Sequence, residues 1–378
     1  MNKIRLIVTC GFGLEAVVKR ELLALGFPDT TGSDGRVEFD ACPQDIPRLN
    51  LRLRAADRVL LKLGEFPAKD FGQLFDRTRQ LAWETWIPVD ARITVTGKCV
   101  RSRLASVRSC QSIVKKALVE RMGERLGAGW LPETGEEFTV QVSILKDVAQ
   151  LTLDTSGNGL HKRGYRAGAG EAPLRENLAA ALVLLSFWDS GRVLLDPMCG
   201  SGTILIEAAL IGRNIAPGLG REFAAEKWPA LDPEDWRKAR MDARAEILPA
   251  GTLKIFGSDI DEERVRDCRM NARRAGVEDD IVCERRDISQ LEPPGPYGVV
   301  VTNPPYGINL GSPADLGPLY KAIDAVFRER QGWSVYVLTA DKKFPDTFRR
   351  GKPDKVRKLF NGTIEVNYYQ YFGERPPK

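Results

Sequence analysis

The segment VTNPPYG places an asparagine, two prolines and an aromatic residue directly after an apolar run. The prolines stiffen the loop and leave backbone carbonyls unpaired by any strand ladder. The side-chain oxygen of Asn303 and the carbonyl oxygen of Pro304 can each accept one hydrogen from an exocyclic NH2 group, and the ring of Tyr306 can stack on a base. Such acceptors stabilise the positive charge that grows on an attacking nitrogen. The candidate catalytic residues are therefore Asn303, Pro304, Pro305 and Tyr306.

A second segment, LLDPMCGSGTILIEAA, is suited to holding a nucleoside-like ligand. Asp196 ends a predicted buried strand, and Gly200 and Gly202 precede a predicted helix. Glycines allow the backbone to approach a ligand closely beside a helix N-terminus. A phosphate site of the P-loop kind would carry a lysine, and this segment has none. The predicted ligand therefore lacks phosphates, and the predicted contacts are Asp196, Pro197, Gly200, Gly202 and Thr203.

Acidic residues also follow the next two predicted strands. Asp259 could accept hydrogen bonds from both ribose hydroxyls, and Asp287 could accept one from an adenine amine, with Ile288 near the ring. Ligands of open α/β sheets bind outside the carboxyl ends of the strands. Helix capping would explain any one of these acidic residues but poorly explains all three. The predicted nucleoside site therefore also includes Asp259, Ile260, Asp287, Ile288 and Asn303.

Positive charge is concentrated in the first half of the chain. Residues 1–170 carry 26 Lys/Arg and 20 Asp/Glu, whereas residues 171–378 carry 30 and 31. The stretch from Arg92 to Lys116 has seven basic residues and no acidic one. A solvated helix and loop would explain the charge, but a run without counter-charge favours a phosphate backbone as partner. The predicted nucleic-acid contacts are Arg101, Arg103, Arg108, Lys115 and Lys116.

Composition bounds the class of protein. The 378 residues are 43% hydrophobic and 28% charged, and no apolar run is long enough to span a membrane. The N-terminus shows no export signal, and seven cysteines without C-x-x-C spacing indicate reduced thiols in a cytoplasmic protein. His161 is the only histidine, which excludes histidine triads and multi-histidine metal sites. We therefore expect neither a bound metal nor a membrane partner.

The pattern of predicted elements changes near the middle of the chain. The first half reads as small α+β units, and a Gly-rich basic linker, Thr155–Pro173, follows. Helices and strands then alternate, as in a parallel sheet covered on both faces. Predicted strands there include residues 193–195, 253–258, 281–284 and 298–302. The tail, with Asn361-Gly362, predicts an antiparallel hairpin.

With these motifs in place, residues 164–378 resemble a class I S-adenosylmethionine-dependent methyltransferase with the Asn-Pro-Pro-Tyr motif of exocyclic-amine methylases. The first half resembles a THUMP domain preceded by a ferredoxin-like region, and its stretch ITVTGKCVRSRLASVRSCQSIVKKAL resembles the RNA-binding THUMP pattern. The segments HKRGYR, APLRENLAAAL and NIAPGLGREFAAEKW are similar to bacterial 23S rRNA guanine-N2 methyltransferases. Relatives often carry Glu-Arg where this chain has Ile308-Asn309, so the resemblance implies no substrate contact for that pair.

The resemblance implies an α/β fold: a Rossmann-like methyltransferase sheet with an antiparallel C-terminal hairpin, preceded by α+β ferredoxin-like and THUMP domains. The implied domains are residues 1–57 (ferredoxin-like), 58–155 (THUMP), 156–173 (linker) and 174–378 (methyltransferase). The implied activity is methyl transfer from S-adenosylmethionine to the N2 amine of guanine in RNA, with 23S rRNA favoured. A tRNA substrate, DNA adenine-N6 methylation and a non-catalytic RNA-binding or ribosome assembly factor remain as alternatives, and the oligomeric state stays open.

Overall fold

The computed structural model describes residues 3–127, 131–166, 174–305 and 316–375. Tyr306 and the Ile308-Asn309 pair therefore lie outside the described residues. The chain forms two compact units. The first unit comprises Met1–Cys10, Val18–Leu160 and Arg221–Asp242, and the second comprises Gly11–Val17, His161–Gly220 and Ala243–Lys378.

One seven-stranded sheet runs through the first unit, in the order β2-β3-β1-β4-β7-β6-β5. All neighbours in it are antiparallel except β5 and β6, which pair in parallel. The long strand β4 pairs with β1 on one side and β7 on the other, so a single sheet crosses the predicted boundary between the ferredoxin-like and THUMP regions. The strands are β1 (Ile4–Cys10), β2 (Thr30–Ser33), β3 (Arg36–Ala41), β4 (Ala56–Pro67), β5 (Arg92–Val100), β6 (Glu137–Leu145) and β7 (Val148–Asp154).

The described residues of the first half also form α1 (Glu15–Ala24), α2 (Asp45–Arg52), α3 (Phe71–Arg79) and α4 (Val107–Leu126). Helix α4 carries Arg108, Lys115 and Lys116 of the basic stretch. Helix α4 begins after Ser106, whose side chain accepts a hydrogen bond from the Ser109 amide, and it ends at Gly127 in the left-handed conformation. The later segment Arg221–Asp242 also belongs to the first unit, where Trp228 stacks on Phe138 with ring centroids 5.1 Å apart.

The second unit contains the other seven-stranded sheet, in the order β10-β9-β8-β11-β12-β14-β13. Neighbours from β10 to β12 are parallel, while β14 runs antiparallel to β12 and β13, which confirms the predicted α/β fold and its antiparallel hairpin. The strands are β8 (Leu194–Asp196), β9 (Ile255–Asp259), β10 (Ile281–Arg285), β11 (Gly298–Thr302), β12 (Trp333–Thr339), β13 (Lys355–Asn361) and β14 (Ile364–Tyr371).

Helices cover this parallel sheet, and its strand order decides where a ligand binds. The helices of the second unit are α5 (Glu176–Ser186), α6 (Thr203–Gly212), α8 (Glu262–Arg274), α9 (Leu316–Phe327) and α10 (Phe344–Thr347). Helix α7 (Pro233–Ala245) begins in the first unit and ends in the second. The order reverses between β8 and β11, and ligands of such sheets bind at that switch point, outside the carboxyl strand ends. No helix in the described part of the chain is long and apolar enough to cross a membrane.

Candidate active site

The carboxyl ends of β8 and β11 are joined by the side chain of Asp196. Its Oδ1 accepts hydrogen bonds from the Thr302 hydroxyl (2.7 Å) and the Met198 amide (3.2 Å), and the residue is only 1% exposed. Asp196 therefore positions the start of the glycine loop against the strand that leads to Asn303. Pro197 is also buried, and its carbonyl accepts a hydrogen bond from the Ser258 hydroxyl.

Burial makes the charge on Asp196 costly. It raises the pKa of Asp196 to about 7, and the nearby Asp259 carboxylate adds to the effect, whereas the hydrogen bonds from Thr302 and Met198 oppose it. The carboxyl group therefore titrates near neutral pH, far above the usual range of an aspartate.

The two glycines of the loop have different surroundings. Gly200 has φ +51°, and a Cβ there would meet no atom of the described residues within 4 Å. Gly202 has φ +82°, and a Cβ there would lie 2.4 Å from Cys268 Sγ. Gly200 thus leaves room for a ligand, while Gly202 permits close packing against α8. Helix α6 begins at the next residue, Thr203, which accepts a hydrogen bond from Arg166 at 2.7 Å.

Asp259 stands at the end of β9, next to the glycine loop. Its Oδ2 accepts from the Gly200 amide (2.9 Å) and its Oδ1 from the Asp261 amide (3.0 Å), and the residue is half-buried. Oδ2 therefore faces the glycine loop, whereas Oδ1 faces the backbone that follows β9. Ile260 follows with 63% of its surface exposed, so it offers an apolar side chain to a ligand.

The residues after β10 leave fewer groups available to a ligand than Asp259 and Ile260 do. Asp287 Oδ1 accepts from the Ser289 amide (2.8 Å) and hydroxyl (2.7 Å), and these bonds lower the pKa of Asp287. Ile288 is 7% exposed because it packs in the apolar core with Leu195 and Val300. Little of the Ile288 side chain is left for the predicted adenine contact.

Asn303 directly follows β11 and carries an acceptor that no described residue satisfies. Its Oδ1 is buried, and no donor among the described residues reaches it. A buried amide oxygen without a donor is costly, so this atom is suited to a hydrogen-bond donor supplied from outside the described structure. Pro304 is buried and Pro305 is exposed.

Further site residues come from the segment HKRGYR before α5, which the sequence analysis named for its resemblance without assigning a role to any of its residues. Arg163 Nε lies 3.4 Å from Glu207 Oε1, the Tyr165 hydroxyl donates to the same oxygen at 3.2 Å, and these groups are buried. Arg166 donates to Thr203 and to the Leu174 carbonyl. These contacts hold the segment against α6. In the sequence, the feature that could have indicated them is Glu207, a single charged residue inside an otherwise apolar helix.

The basic stretch gains counter-charges on folding. Arg103 lies 3.9 Å from Asp147, and Lys115 and Lys116 lie 2.7 and 3.8 Å from Glu133 and Glu120. Asp147 and Glu133 approach from later in the chain, and Glu120 lies one turn further along α4. These side chains therefore have counter-charges that the run itself lacks, and their contacts with nucleic acid stay predictions. Of the five predicted contacts, Arg101 and Arg108 are exposed and form no ion pair with a described residue.

These residues fit S-adenosylmethionine, which supplies an electrophilic methyl group on a sulfonium when bound. Open space at Gly200 and the carboxylate of Asp259 suit a ribose and its neighbouring chain. Asn303 follows Thr302, whose hydroxyl donates to Asp196, and its Oδ1 accepts from no described residue, so this oxygen suits a target amine. Within this loop segment there is still no lysine for a phosphate.

Comparison with known proteins gives matches along nearly the whole chain. Residues 163–370 match the RMKL-like methyltransferase domain, residues 5–60 the RlmL ferredoxin-like domain and residues 68–154 the THUMP domain. The putative RNA methyltransferase YpsC of Bacillus subtilis is 44% identical over 380 residues, covering 100% of this chain and 98% of that protein.

Two further relatives bear on activity and cofactor. Ribosomal RNA large subunit methyltransferase K/L of Psychromonas ingrahamii is 34% identical over 374 residues, covering 96% of this chain but 50% of that protein, so this chain spans about half its length. The crystal structure of SMU.472, a putative methyltransferase complexed with S-adenosylhomocysteine (SAH), matches with a TM-score of 0.94 and 40% identity over 100% of both chains. The chain therefore belongs to the RMKL-like family of S-adenosylmethionine-dependent methyltransferases, and it carries the ferredoxin-like and THUMP domains of the RlmL type of RNA methyltransferase.

Proposed function

We propose that the protein transfers a methyl group from S-adenosylmethionine to the exocyclic N2 amine of a guanine in RNA, with 23S rRNA as the substrate. The observation that carries the proposal is the buried oxygen of Asn303, which accepts no hydrogen bond from the described residues. Asn303 follows β11, and the hydroxyl of Thr302, the last residue of that strand, donates a hydrogen bond to Asp196 at the start of the glycine loop. An acceptor for an amine therefore stands beside the predicted cofactor loop.

The proposed chemistry needs acceptors and positioning. Asn303 Oδ1 and the Pro304 carbonyl each accept one hydrogen of the amine, which aims the nitrogen lone pair at the methyl carbon. The N–C bond forms as the S–C bond breaks, and positive charge moves from sulfur to nitrogen. The two oxygens stabilise that charge, after which one proton leaves the methylated amine for solvent. Tyr306 is proposed to stack on the base.

The cofactor contacts are proposed on the same structure. Asp259 binds the ribose hydroxyls, because it is a half-buried carboxylate directly beside Gly200. Asp287 accepts from the adenine amine, and the exposed Ile260 packs on the ring. Gly200 and Thr203 line the methionine side, and Asp196 keeps the loop in place.

The RNA substrate is supported by the THUMP match and by the names of the B. subtilis and P. ingrahamii relatives. Residues 58–155 are proposed as the RNA-binding part of the chain, with Arg101 and Arg108 as its clearest phosphate contacts. We expect the protein in the cytoplasm, where its substrate is found.

Methylation of purified nucleic acids tests the proposal. The full chain would be incubated with radiolabelled S-adenosylmethionine and 23S rRNA, tRNA or duplex DNA from a strain lacking the gene, and product nucleosides identified by mass spectrometry. We expect N2-methylguanosine from 23S rRNA. N2-methylguanosine from tRNA alone would show that tRNA, and not 23S rRNA, is the substrate. N6-methyladenine in DNA would show that the protein is a DNA adenine methyltransferase. Cofactor binding without any methyl transfer would indicate a non-catalytic RNA-binding factor.

A further inference from the structure

Three buried cysteines from separate elements of the second unit meet beside the glycine loop. Cys199 lies in the loop, Cys268 on α8 and Cys283 on β10. Their Sγ atoms all lie within 4.8 Å of one another, and those of Cys199 and Cys283 are 3.5 Å apart. Their exposed fractions are 7%, 0% and 6%. The fold thus assembles a three-sulfur cluster that cysteine spacing along the chain did not indicate.

The distances between the three sulfur atoms are close to those between sulfur ligands of a metal site. In a tetrahedral zinc site with Zn–S bonds of ~2.3 Å, two sulfur ligands lie ~3.8 Å apart. The 3.5 Å separation of Cys199 and Cys283 is close to that value, and no pair exceeds it by more than about 1 Å. The Gly200 carbonyl oxygen lies 3.7 Å from Cys199 Sγ, which places an oxygen donor at the edge of the cluster.

The neighbouring backbone leaves room for the sulfurs. A Cβ at Gly202 would lie 2.4 Å from Cys268 Sγ, and one at Gly257 would lie 3.3 Å from Cys199 Sγ. Larger residues at these glycines would therefore push into the cluster. Positive charge is also close, since the Arg269 guanidinium donates to the Cys283 carbonyl at 3.1 and 2.6 Å.

We propose that Cys199, Cys268 and Cys283 bind one zinc ion. Thiolates are the ligands that select zinc among common divalent ions, and its two positive charges offset most of three thiolate charges in a buried site. The ion would join the glycine loop to α8 and β10. Because Cys199 directly precedes Gly200, whose amide is held by Asp259, zinc would fix the loop that carries the cofactor contacts.

Metal titration of the full chain tests the site. The reduced protein would be stripped with a chelator and titrated with Zn²⁺ in competition with a chromogenic chelator. We expect one tightly bound ion per chain, lost in Cys268→Ala. Cys110→Ala is the matched control, because Cys110 is fully buried and its Sγ contacts only one other thiol, that of Cys99 at 3.8 Å, among the described residues. A wild-type chain without a bound ion, or Cys268→Ala with one, would overturn the proposal.

A second measurement needs no variant and covers the case in which Cys268→Ala fails to fold. Cd²⁺ bound to the wild-type chain gives a thiolate-to-metal charge-transfer band whose intensity reports the number of sulfur ligands. We expect an intensity corresponding to three thiolates per ion, and cadmium or zinc should also raise the melting temperature. A band equivalent to one thiolate or none would show that the cluster is a packed group of thiols.

Discussion

Replacing Asp196 with asparagine should make the folded chain more stable at high pH. Asparagine keeps an oxygen that can accept from Thr302 and Met198, but it carries no charge to bury. In the wild type, burial raises the pKa of Asp196 to about 7, whereas an aspartate in the unfolded chain titrates near its ordinary value of ~3.9. The variant therefore removes a charge that the fold disfavours.

The sign and size follow from proton linkage. Between about pH 4 and pH 7 the folded chain holds a proton on Asp196 that the unfolded chain has released, so the free energy of unfolding falls as pH rises. At ~1.4 kcal/mol for each pKa unit, the raised pKa of Asp196 corresponds to about 4 kcal/mol. The stability of Asp196→Asn relative to wild type should thus rise by about that amount from pH 4 to pH 8.

Urea unfolding of both proteins at a series of pH values measures this difference, and other titrating groups largely cancel in the comparison. Asp287→Asn is the control, because the charge of Asp287 is expected to change the free energy of unfolding in the opposite direction. Hydrogen bonds from Ser289 lower the pKa of Asp287, so its charge favours the fold above about pH 4 and that small contribution disappears as pH falls. A stability difference for Asp196→Asn that does not change with pH would refute the reasoning.

Three further predictions concern the cofactor, the RNA and the segment before α5. Asp259→Ala should weaken S-adenosylmethionine binding by ~1.5–3 kcal/mol in calorimetry, because a charge-assisted hydrogen bond is lost; unchanged affinity would remove Asp259 from the site. Arg101→Glu with Arg108→Glu should lower the salt dependence of RNA affinity by about 0.7–0.9 log units per lost phosphate contact; an unchanged slope would leave both as solvated surface residues. Arg163→Ala should destabilise the fold by ~3–5 kcal/mol in urea unfolding, because it removes the arginine that is paired with the buried carboxylate of Glu207.

Matched variants separate these effects from general damage. Lys116→Glu adds the same kind of charge change as Arg101→Glu, but at a residue that already lies 3.8 Å from Glu120, so its effect on the salt slope should be smaller. Arg163→Ala combined with Glu207→Gln removes the unpaired charge and should recover part of the lost stability. A double variant as unstable as Arg163→Ala would show that the charge on Glu207 is not the cause.

The parts of the fold that sequence reasoning predicted are local. The apolar run before Asn303 forms β11 over Gly298–Thr302, and Asn361-Gly362 lies at the turn between β13 and β14. The alternation of helices and strands placed Asp196 and Asp259 at the ends of parallel strands. Each of these features depends on neighbouring residues, through hydrophobic periodicity and turn preferences.

The features that were not predicted depend on residues far apart in sequence. Strand β4 pairs with both β1 and β7, which joins two predicted domains in one sheet. Glu133 and Asp147 supply counter-charges to a stretch that has none along the chain. The burial of Asp196 against Thr302 likewise follows from the pairing of β8 with β11. No local pattern carries such information, because it arises only when the sheet is assembled.

Single-turnover methyl transfer by variants of Asn303 tests the central claim most directly. With saturating RNA and cofactor, we expect the rate to fall from wild type to Asn303→Asp and further to Asn303→Ala. The methyl-transfer rate of the alanine variant should be about 10²–10³-fold lower than that of wild type, because one preorganised group that stabilises charge in the transition state is lost. The affinities for RNA and cofactor should change little. Asn303→Asp keeps an acceptor and should retain partial activity. Transfer by Asn303→Ala at the wild-type rate would contradict the account, because the buried oxygen of Asn303 would then have no part in the reaction.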